Sequence, residues 1–137
     1  ISKSGEIEVS RQILEPFSPT FCKAKLCLQE ANLQQAFTYF KTSHRPHLSL
    51  GKQETIYHNV AGELLETSIG NLVLKIAGKL YTPPIRLGIL PGIYRQHLLE
   101  TGQLEEKVLT LADLVQAEAI YGCNAVRGLY ELSVKER

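Results

Sequence analysis

The chain has 137 residues, of which 44% are hydrophobic and 21% charged, and its net charge is +1. This length and composition predict a single domain with a sizeable core, and the near-neutral charge argues against a surface built to collect nucleic acid or anionic membrane. No apolar run approaches the roughly 18 residues of a membrane span, no signal segment opens the chain, and three cysteines without a Cys-x-x-Cys pair do not indicate a disulfide framework. We therefore expect a soluble cytoplasmic protein whose partners include neither nucleic acid nor a membrane.

The first half of the chain is predicted to consist mainly of short strands. Glu6 to Ser10 and Lys23 to Leu28 alternate polar and apolar side chains with the period of a half-buried strand, and Thr55 to His58 is predicted as another strand. Asn32 to Lys41 carries apolar side chains at helical spacing, but its aromatic and Thr content also suits an extended segment. Both conformations stay open for that segment.

The second half begins with a predicted hairpin and a helix. The hairpin pairs Asn71 to Ile76 with Lys79 to Thr82, because the intervening Ala77-Gly78 forms a turn in which glycine tolerates a positive φ. The helix opens at Pro91-Gly92, runs through about Glu100 and is closed by Gly102.

A predicted strand from Glu106 to Leu109 leads into a second, shorter helix. Thr110 and Asp113 can satisfy the free N–H groups at its start, and the helix continues through Ala117. The last predicted elements are two strands, Ala119 to Cys123 and Gly128 to Val134.

The densest group of reactive side chains is the heptad from Lys41 to His47. Because Lys41 follows three aromatic residues, its amine could be desolvated, which would lower its pKa and let it form a Schiff base with an aldehyde. The alternative is a solvated basic turn. His44 and His47 could hold a metal, but no third ligand has the expected spacing, so no metal site is predicted.

Glu66 is a second candidate for chemistry. It lies between Leu65 and a Thr-Ser-Ile-Gly-Asn run that leads into an apolar strand, so its carboxylate is expected to point inward at the mouth of the sheet. A buried carboxylate needs a partner. The protonated ring nitrogen of a bound heterocycle, a backbone N–H or a nearby cation would each serve. From this segment alone, an ordinary edge-strand or turn residue is at least as good an explanation.

The start of the first helix is a candidate anion site. The backbone N–H groups of Ile93 and Tyr94, after Gly92, would lie at the positive end of the helix dipole, which suits a phosphate. Asn124, at a strand end, could add an amide donor to the same anion. Arg95 and the two residues after it are expected to face solvent or an adjoining chain.

Taken together, these segments resemble the fold-type IV pyridoxal-phosphate enzymes, or class IV aminotransferases. The resemblance is closest to the aminodeoxychorismate lyase domain that is fused to aminodeoxychorismate synthase. Five blocks carry it, in the family's order: Lys41 to Arg45, Glu66 to Val73, Tyr81 to Pro84, Leu90 to Gln96, and Cys123 to Leu129. Five ordered blocks over this length are hard to obtain by chance.

The resemblance implies a fold and a set of residue roles. The fold would be α+β, a strand-rich mixed α/β pseudo-barrel with two or three helices. Lys41 would hold pyridoxal 5'-phosphate covalently and move protons at the carbon beside the substrate's amine, and Glu66 would pair with the ring nitrogen. The N–H groups of Ile93 and Tyr94 would bind the phosphate, with help from Asn124.

The resemblance further implies a reaction and partners. A lyase would eliminate pyruvate from the small-molecule substrate 4-amino-4-deoxychorismate and release 4-aminobenzoate for folate synthesis. Residues 1–137 would form the single cofactor-binding large domain, and the family's N-terminal small domain, absent from this chain, would be supplied in cis or in trans. We expect a homodimer.

Two alternatives to the lyase stay open. The first is an aminotransferase that acts on branched-chain or D-amino acids. The second is a non-catalytic, truncated domain, suggested by the missing small domain and by a stretch between Lys41 and Glu66 that is shorter than the family's. In that stretch Leu48 to Lys52 stands where a helix usually continues.

Overall fold

A computed structural model of the chain describes residues 4–17, 22–29 and 53–134. Predictions for Asn32 to Lys41 and for the heptad from Lys41 to His47 lie outside the described residues. In chain order the strands are β1 Lys23–Leu28, β2 Thr55–His58, β3 Leu64–Thr67, β4 Asn71–Ile76, β5 Lys79–Thr82, β6 Glu105–Glu106, β7 Ala119–Asn124 and β8 Gly128–Val134, and the helices are α1 Ile93–Glu100 and α2 Leu111–Gln116, with a 3-10 turn at Ile85–Leu87.

Six of the strands close on themselves. Their order is β3-β2-β1-β8-β7-β4, and β4 also pairs with β3, while β5 and β6 extend the sheet beyond β4. Strand β1 runs parallel to both β2 and β8, whereas the other contacts around the ring are antiparallel. The predicted strand-rich pseudo-barrel with two or three helices is therefore confirmed.

Strand β4 is buried on both faces, because helices and loops cover the two sides of the ring. Leu72 and Leu74 pack in the largest core cluster with Leu114 of α2. Val73, which points the opposite way, packs with Leu98 of α1 in another cluster. This strand thus fixes both helices relative to the sheet.

The predicted hairpin and both predicted helices are present. The β4–β5 turn has positive φ at Ala77 and Gly78, as its tight geometry requires. Helix α1 has Gly92 at its N-cap, and α2 begins with a reciprocal pair of hydrogen bonds between Thr110 and Asp113. Neither helix in the described part of the chain is long and apolar enough to cross a membrane.

Three local predictions are wrong. Residues Glu6 to Ser10 form no strand, because the side chains of Ile7 and Val9 find no surface to pack on among the described residues and are 75% and 85% exposed. The strand expected at Glu106 to Leu109 is only the two residues of β6. Arg95 does not face solvent but is buried beneath α1.

Candidate functional site

Glu66 lies near the end of β3 with its side chain turned inward. The pairing between β2 and β3 shifts by one residue between the pairs Ile56 with Thr67 and His58 with Leu64, and such irregularities re-aim side chains. Glu66 is only 2% exposed. Its Oε2 accepts a hydrogen bond from the backbone N–H of Leu90 at 3.3 Å. The expectation of an inward carboxylate at the mouth of the sheet agrees with this position.

Asn71 connects this carboxylate to the segment that precedes α1. It is the register partner of Glu66 across the β3–β4 turn. Its Nδ2 donates to the backbone carbonyl of Leu90 at 2.7 Å. Leu90 therefore donates its N–H to Glu66 and accepts through its carbonyl from Asn71. One residue holds both side chains beside the entry to the helix.

Helix α1 begins shortly after Leu90, and the N–H groups of its first turn have no carbonyl partner within the helix. The first bond of the helix runs from the N–H of Gln96 to the carbonyl of Gly92 at 2.9 Å, so the N–H groups of Ile93 and Tyr94 have no partner within the helix. Ile93 is exposed. The Tyr94 ring packs in the cluster of Leu98 and Val73. The result is a cluster of N–H groups at a helix start beside a buried carboxylate.

Asn124 shapes a turn at the same end of the sheet. Its Oδ1 accepts from the N–H groups of Val126 and Arg127 at 3.0 and 2.8 Å. Its Nδ2 donates to the carbonyl of Ile69 at 3.2 Å. Asn124 therefore ties the β7–β8 turn to the β3–β4 turn, which carries Glu66 and Asn71 at its two ends.

Arg95, which the sequence predicted to face solvent or an adjoining chain, is instead buried close to the start of α1. Its guanidinium donates to the carbonyl of Pro83 at 2.9 Å and forms an ion pair with Glu106. Its side chain is 1% exposed. Arg95 thus locks the first turn of α1 onto the loop after β5. Its position in the helix, one turn before the buried Leu98 and therefore on the same face, was the available signal.

Glu54 is a second residue that sequence reasoning missed. It directly precedes β2, is fully buried, and accepts hydrogen bonds from Ser68 and from the Tyr130 hydroxyl. An acidic residue directly before a predicted strand was the signal in the sequence, and it does not identify the partners, since they lie 14 and 76 residues away.

The structure thus places Glu66, the start of α1 and the Asn124 turn at one end of the sheet. Lys41 lies outside the described residues. Among the residues that are described, no group of three or more His, Cys, Asp or Glu side chains is arranged to hold a metal ion. The site instead offers a carboxylate acceptor at one point and several N–H donors at another.

Comparison with known proteins places the chain in a family that agrees with the sequence resemblance. The model of the family described as amino-transferase class IV matches residues 23–133. An uncharacterized protein of Haemophilus influenzae is 29% identical over 123 residues, which are 89% of this chain and 61% of that protein. The aminodeoxychorismate lyase of Saccharomyces cerevisiae is 27% identical over 128 residues, 74% of this chain and 34% of the enzyme.

Solved structures extend the comparison. A protein of Mesorhizobium loti described as an amino-acid aminotransferase is 30% identical and superposes with a TM-score of 0.71, covering 88% of this chain and 64% of that one. In each of these three comparisons the chain spans less than two thirds of the protein it matches.

Proposed function

The chain belongs to the class IV aminotransferase family, and on that premise we propose that it is the cofactor-binding large domain of a pyridoxal-phosphate lyase. The reaction would eliminate pyruvate from 4-amino-4-deoxychorismate and leave 4-aminobenzoate, a precursor for folate synthesis. Similarity to the yeast aminodeoxychorismate lyase and the terminal block from Cys123 to Leu129 support the lyase.

This pair of groups, a carboxylate and a cluster of N–H donors, fits pyridoxal 5'-phosphate, a flat heterocycle with a basic ring nitrogen at one side and a phosphate dianion at the other. The buried carboxylate of Glu66 suits a protonated ring nitrogen, and the first N–H groups of α1 suit the phosphate. The observation that carries the proposal is that Leu90 hydrogen-bonds both Glu66 and Asn71 immediately before that helix. This contact fixes the spacing between the Glu66 carboxylate and the N–H groups at the start of α1.

The residues of the chain then have separable tasks. Lys41 attaches the cofactor through its amine and moves the proton at the carbon that bears the substrate's amino group. Glu66 holds a proton on the ring nitrogen. Ile93 and Tyr94 anchor the phosphate through their backbone N–H groups, with Asn124 supporting the turn beside them. When bound, pyridoxal phosphate supplies an electron sink for the carbon that loses its proton.

An aminotransferase for branched-chain or D-amino acids is the second candidate. The Mesorhizobium protein described as an amino-acid aminotransferase favours it, because it is similar over most of this chain. The two reactions have different products. A lyase releases pyruvate and 4-aminobenzoate from aminodeoxychorismate, whereas an aminotransferase accumulates a new amino acid when it is given an amino donor and a keto acid.

The assembly is part of the same proposal. Because the chain spans less than two thirds of its relatives, we propose that a small domain, in cis or in trans, completes the substrate pocket and that the working enzyme is a homodimer. A truncated, non-catalytic domain is the alternative, and binding of the cofactor distinguishes it.

The test uses pyridoxal phosphate and borohydride. The chain mixed with the cofactor should gain visible absorbance, and reduction should leave a cofactor-sized mass on the peptide that contains Lys41. Lys41→Ala should abolish both signals. Lys79→Ala is the matched control, because Lys79 is an exposed lysine in an ion pair with Glu105. Equal labelling of the chain and Lys41→Ala would overturn the role of Lys41.

A further inference from the structure

A buried polar network lies behind the proposed cofactor site. Oε1 of Glu54 accepts from the N–H of Thr55 at 3.1 Å and from the N–H of Ser68 at 2.8 Å, and it also accepts from the Ser68 hydroxyl. Oε2 accepts from the hydroxyl of Tyr130 at 3.1 Å. Glu54 is 0% exposed. Within the described part of the chain its partners are four donors and no cation.

Tyr130 is packed tightly into this network. A β-carbon on Gly70 would lie 2.9 Å from the tyrosine hydroxyl oxygen, and one on Gly122 would collide with the ring. Two glycines thus allow the β3–β4 turn and β7 to close over the tyrosine. Burial, together with the charge of Glu54, raises the pKa of Tyr130, so the hydroxyl keeps its proton and acts as a donor.

The network holds the β3–β4 turn in place through hydrogen bonds to Ser68. Ser68 lies in this turn, which spans Thr67 to Gly70, and the N–H of Ser68 also donates to the carbonyl of Thr55 at 3.0 Å. Thr67 closes the turn, since its N–H and hydroxyl both donate to the carbonyl of Gly70. From the other side the carbonyl of Ile69 accepts from Asn124. The start of β2 and the end of β7 therefore hold this turn from two sides.

The residues that flank this turn are those of the site. Glu66 precedes it and Asn71 follows it, and the two are register partners. Both reach Leu90. Since a turn of fixed geometry fixes the residues at its ends, a change in the turn moves the Glu66 carboxylate relative to the start of α1.

We propose that Glu54 is a positioning residue that sets the Glu66 carboxylate against the ring nitrogen of the cofactor through Ser68 and Tyr130. This inference rests on the proposed function. Glu54 touches neither cofactor nor substrate in this role. Its carboxylate gathers donors from β2, the β3–β4 turn and β8, and so it determines where the turn lies.

The experiment follows the ring nitrogen of pyridoxamine phosphate, which binds without a covalent bond. The probe is labelled with nitrogen-15 in its ring, and its resonance is recorded against pH in complex with the full chain. The variants are Tyr130→Phe and Ser68→Ala, which keep Glu54 and each remove one of its hydroxyl donors. Glu54→Gln is avoided because its amide N–H groups would face the N–H and hydroxyl donors that the carboxylate now accepts from, which by itself destabilises the fold.

The matched control is Thr110→Ala. Thr110 also donates its hydroxyl to a carboxylate, that of Asp113, but it does so at the start of α2. Both test variants should lower the pKa of the bound ring nitrogen by about one unit and weaken binding roughly threefold to tenfold. The control should lose thermal stability while its ring pKa and affinity match those of the unmodified chain.

Two contrary outcomes are distinguishable. If the unmodified chain binds the probe with a protonated ring and the test variants differ from it only in thermal stability, the network merely supports the fold and the inference is overturned. If the unmodified chain does not bind the probe, or leaves its ring neutral, the proposed function itself is overturned, and the inference with it.

Discussion

The side-chain oxygen of Asn71 occupies the space beside Gly92 in which any other residue would carry its β-carbon. Gly92 has an ordinary φ of −66°, so its requirement here is steric and not torsional. The contact brings β4 directly against the start of α1. The absence of a side chain at Gly92 is thus what lets the strand and the helix meet at the proposed phosphate site.

Gly92→Ala should therefore destabilise the chain and weaken binding of pyridoxal phosphate. The added methyl group forces Asn71 away from Leu90, and overpacking of this kind costs about 1 to 3 kcal/mol. Urea unfolding and a cofactor titration measure the two effects. Adding Asn71→Ala to Gly92→Ala removes the clash, so the double variant should recover part of the stability lost by the single one. Unchanged unfolding of Gly92→Ala would contradict the contact.

Arg95 and Glu106 should behave as a coupled pair. Arg95→Met should lower the free energy of unfolding by about 3 kcal/mol, because it removes the ion pair and the bond to the carbonyl of Pro83 together with buried side-chain packing. Glu106→Gln should cost less, since the carboxylate is 44% exposed and the amide oxygen of Gln can still accept. A double-mutant cycle by urea unfolding should give a double variant less destabilised than the sum. Additive effects would mean that the two side chains do not interact.

The elements that the sequence predicted well are those set by local chemistry. The turn at Ala77-Gly78 and the capping pair of Thr110 with Asp113 depend on residues only a few positions apart. The apolar run in strand β4 predicted a buried strand, and the first four residues of the strand are indeed buried. The conformation of these segments depends mainly on residues close in sequence, so the sequence pattern is enough to predict it.

The predictions that failed depend on distant partners. Ile7 and Val9 alternate like strand residues, but alternation does not supply a neighbouring strand. Arg95 can be buried because the carbonyl of Pro83 and the carboxylate of Glu106, both distant in sequence, bind its guanidinium. At the site, the inward turn of Glu66 depends on a register shift against β2. The ordered motif blocks supplied the candidate site residues, whereas the contacts among the described ones required the fold.

Acid should weaken the cap of α2. Burial raises the pKa of Asp113, but hydrogen bonds from Lys107 and Thr110 outweigh it and hold the pKa below its usual value. Because the folded-state pKa is lowered, the stabilisation is complete above the unfolded-state pKa of about 3.9 and is lost as the pH falls through the folded-state value. The stability difference between the unmodified chain and Asp113→Asn should therefore shrink between about pH 5 and pH 2. A constant difference in urea unfolding across this range would show that Asp113 does not titrate with folding.

The three cysteines should react with a thiol reagent at very different rates. Cys27 is exposed to solvent, Cys22 is partly exposed and Cys123 is buried. Burial raises the pKa of Cys123 to about 11. At pH 8 only about one Cys123 thiol in a thousand is then ionised, and the reagent must also reach it behind α1, where it packs with Leu98. Labelling with a chromogenic disulfide should give a fast phase that Cys27→Ser abolishes, and a slowest phase from Cys123 that speeds up in urea along with unfolding.

Gly92→Ala should accelerate the slowest phase, that of Cys123, and leave the fast phase of Cys27 unchanged, because the substitution loosens α1 and not β1. Native-state labelling of Cys123 as fast as Cys27 would contradict the packing of α1 against β7.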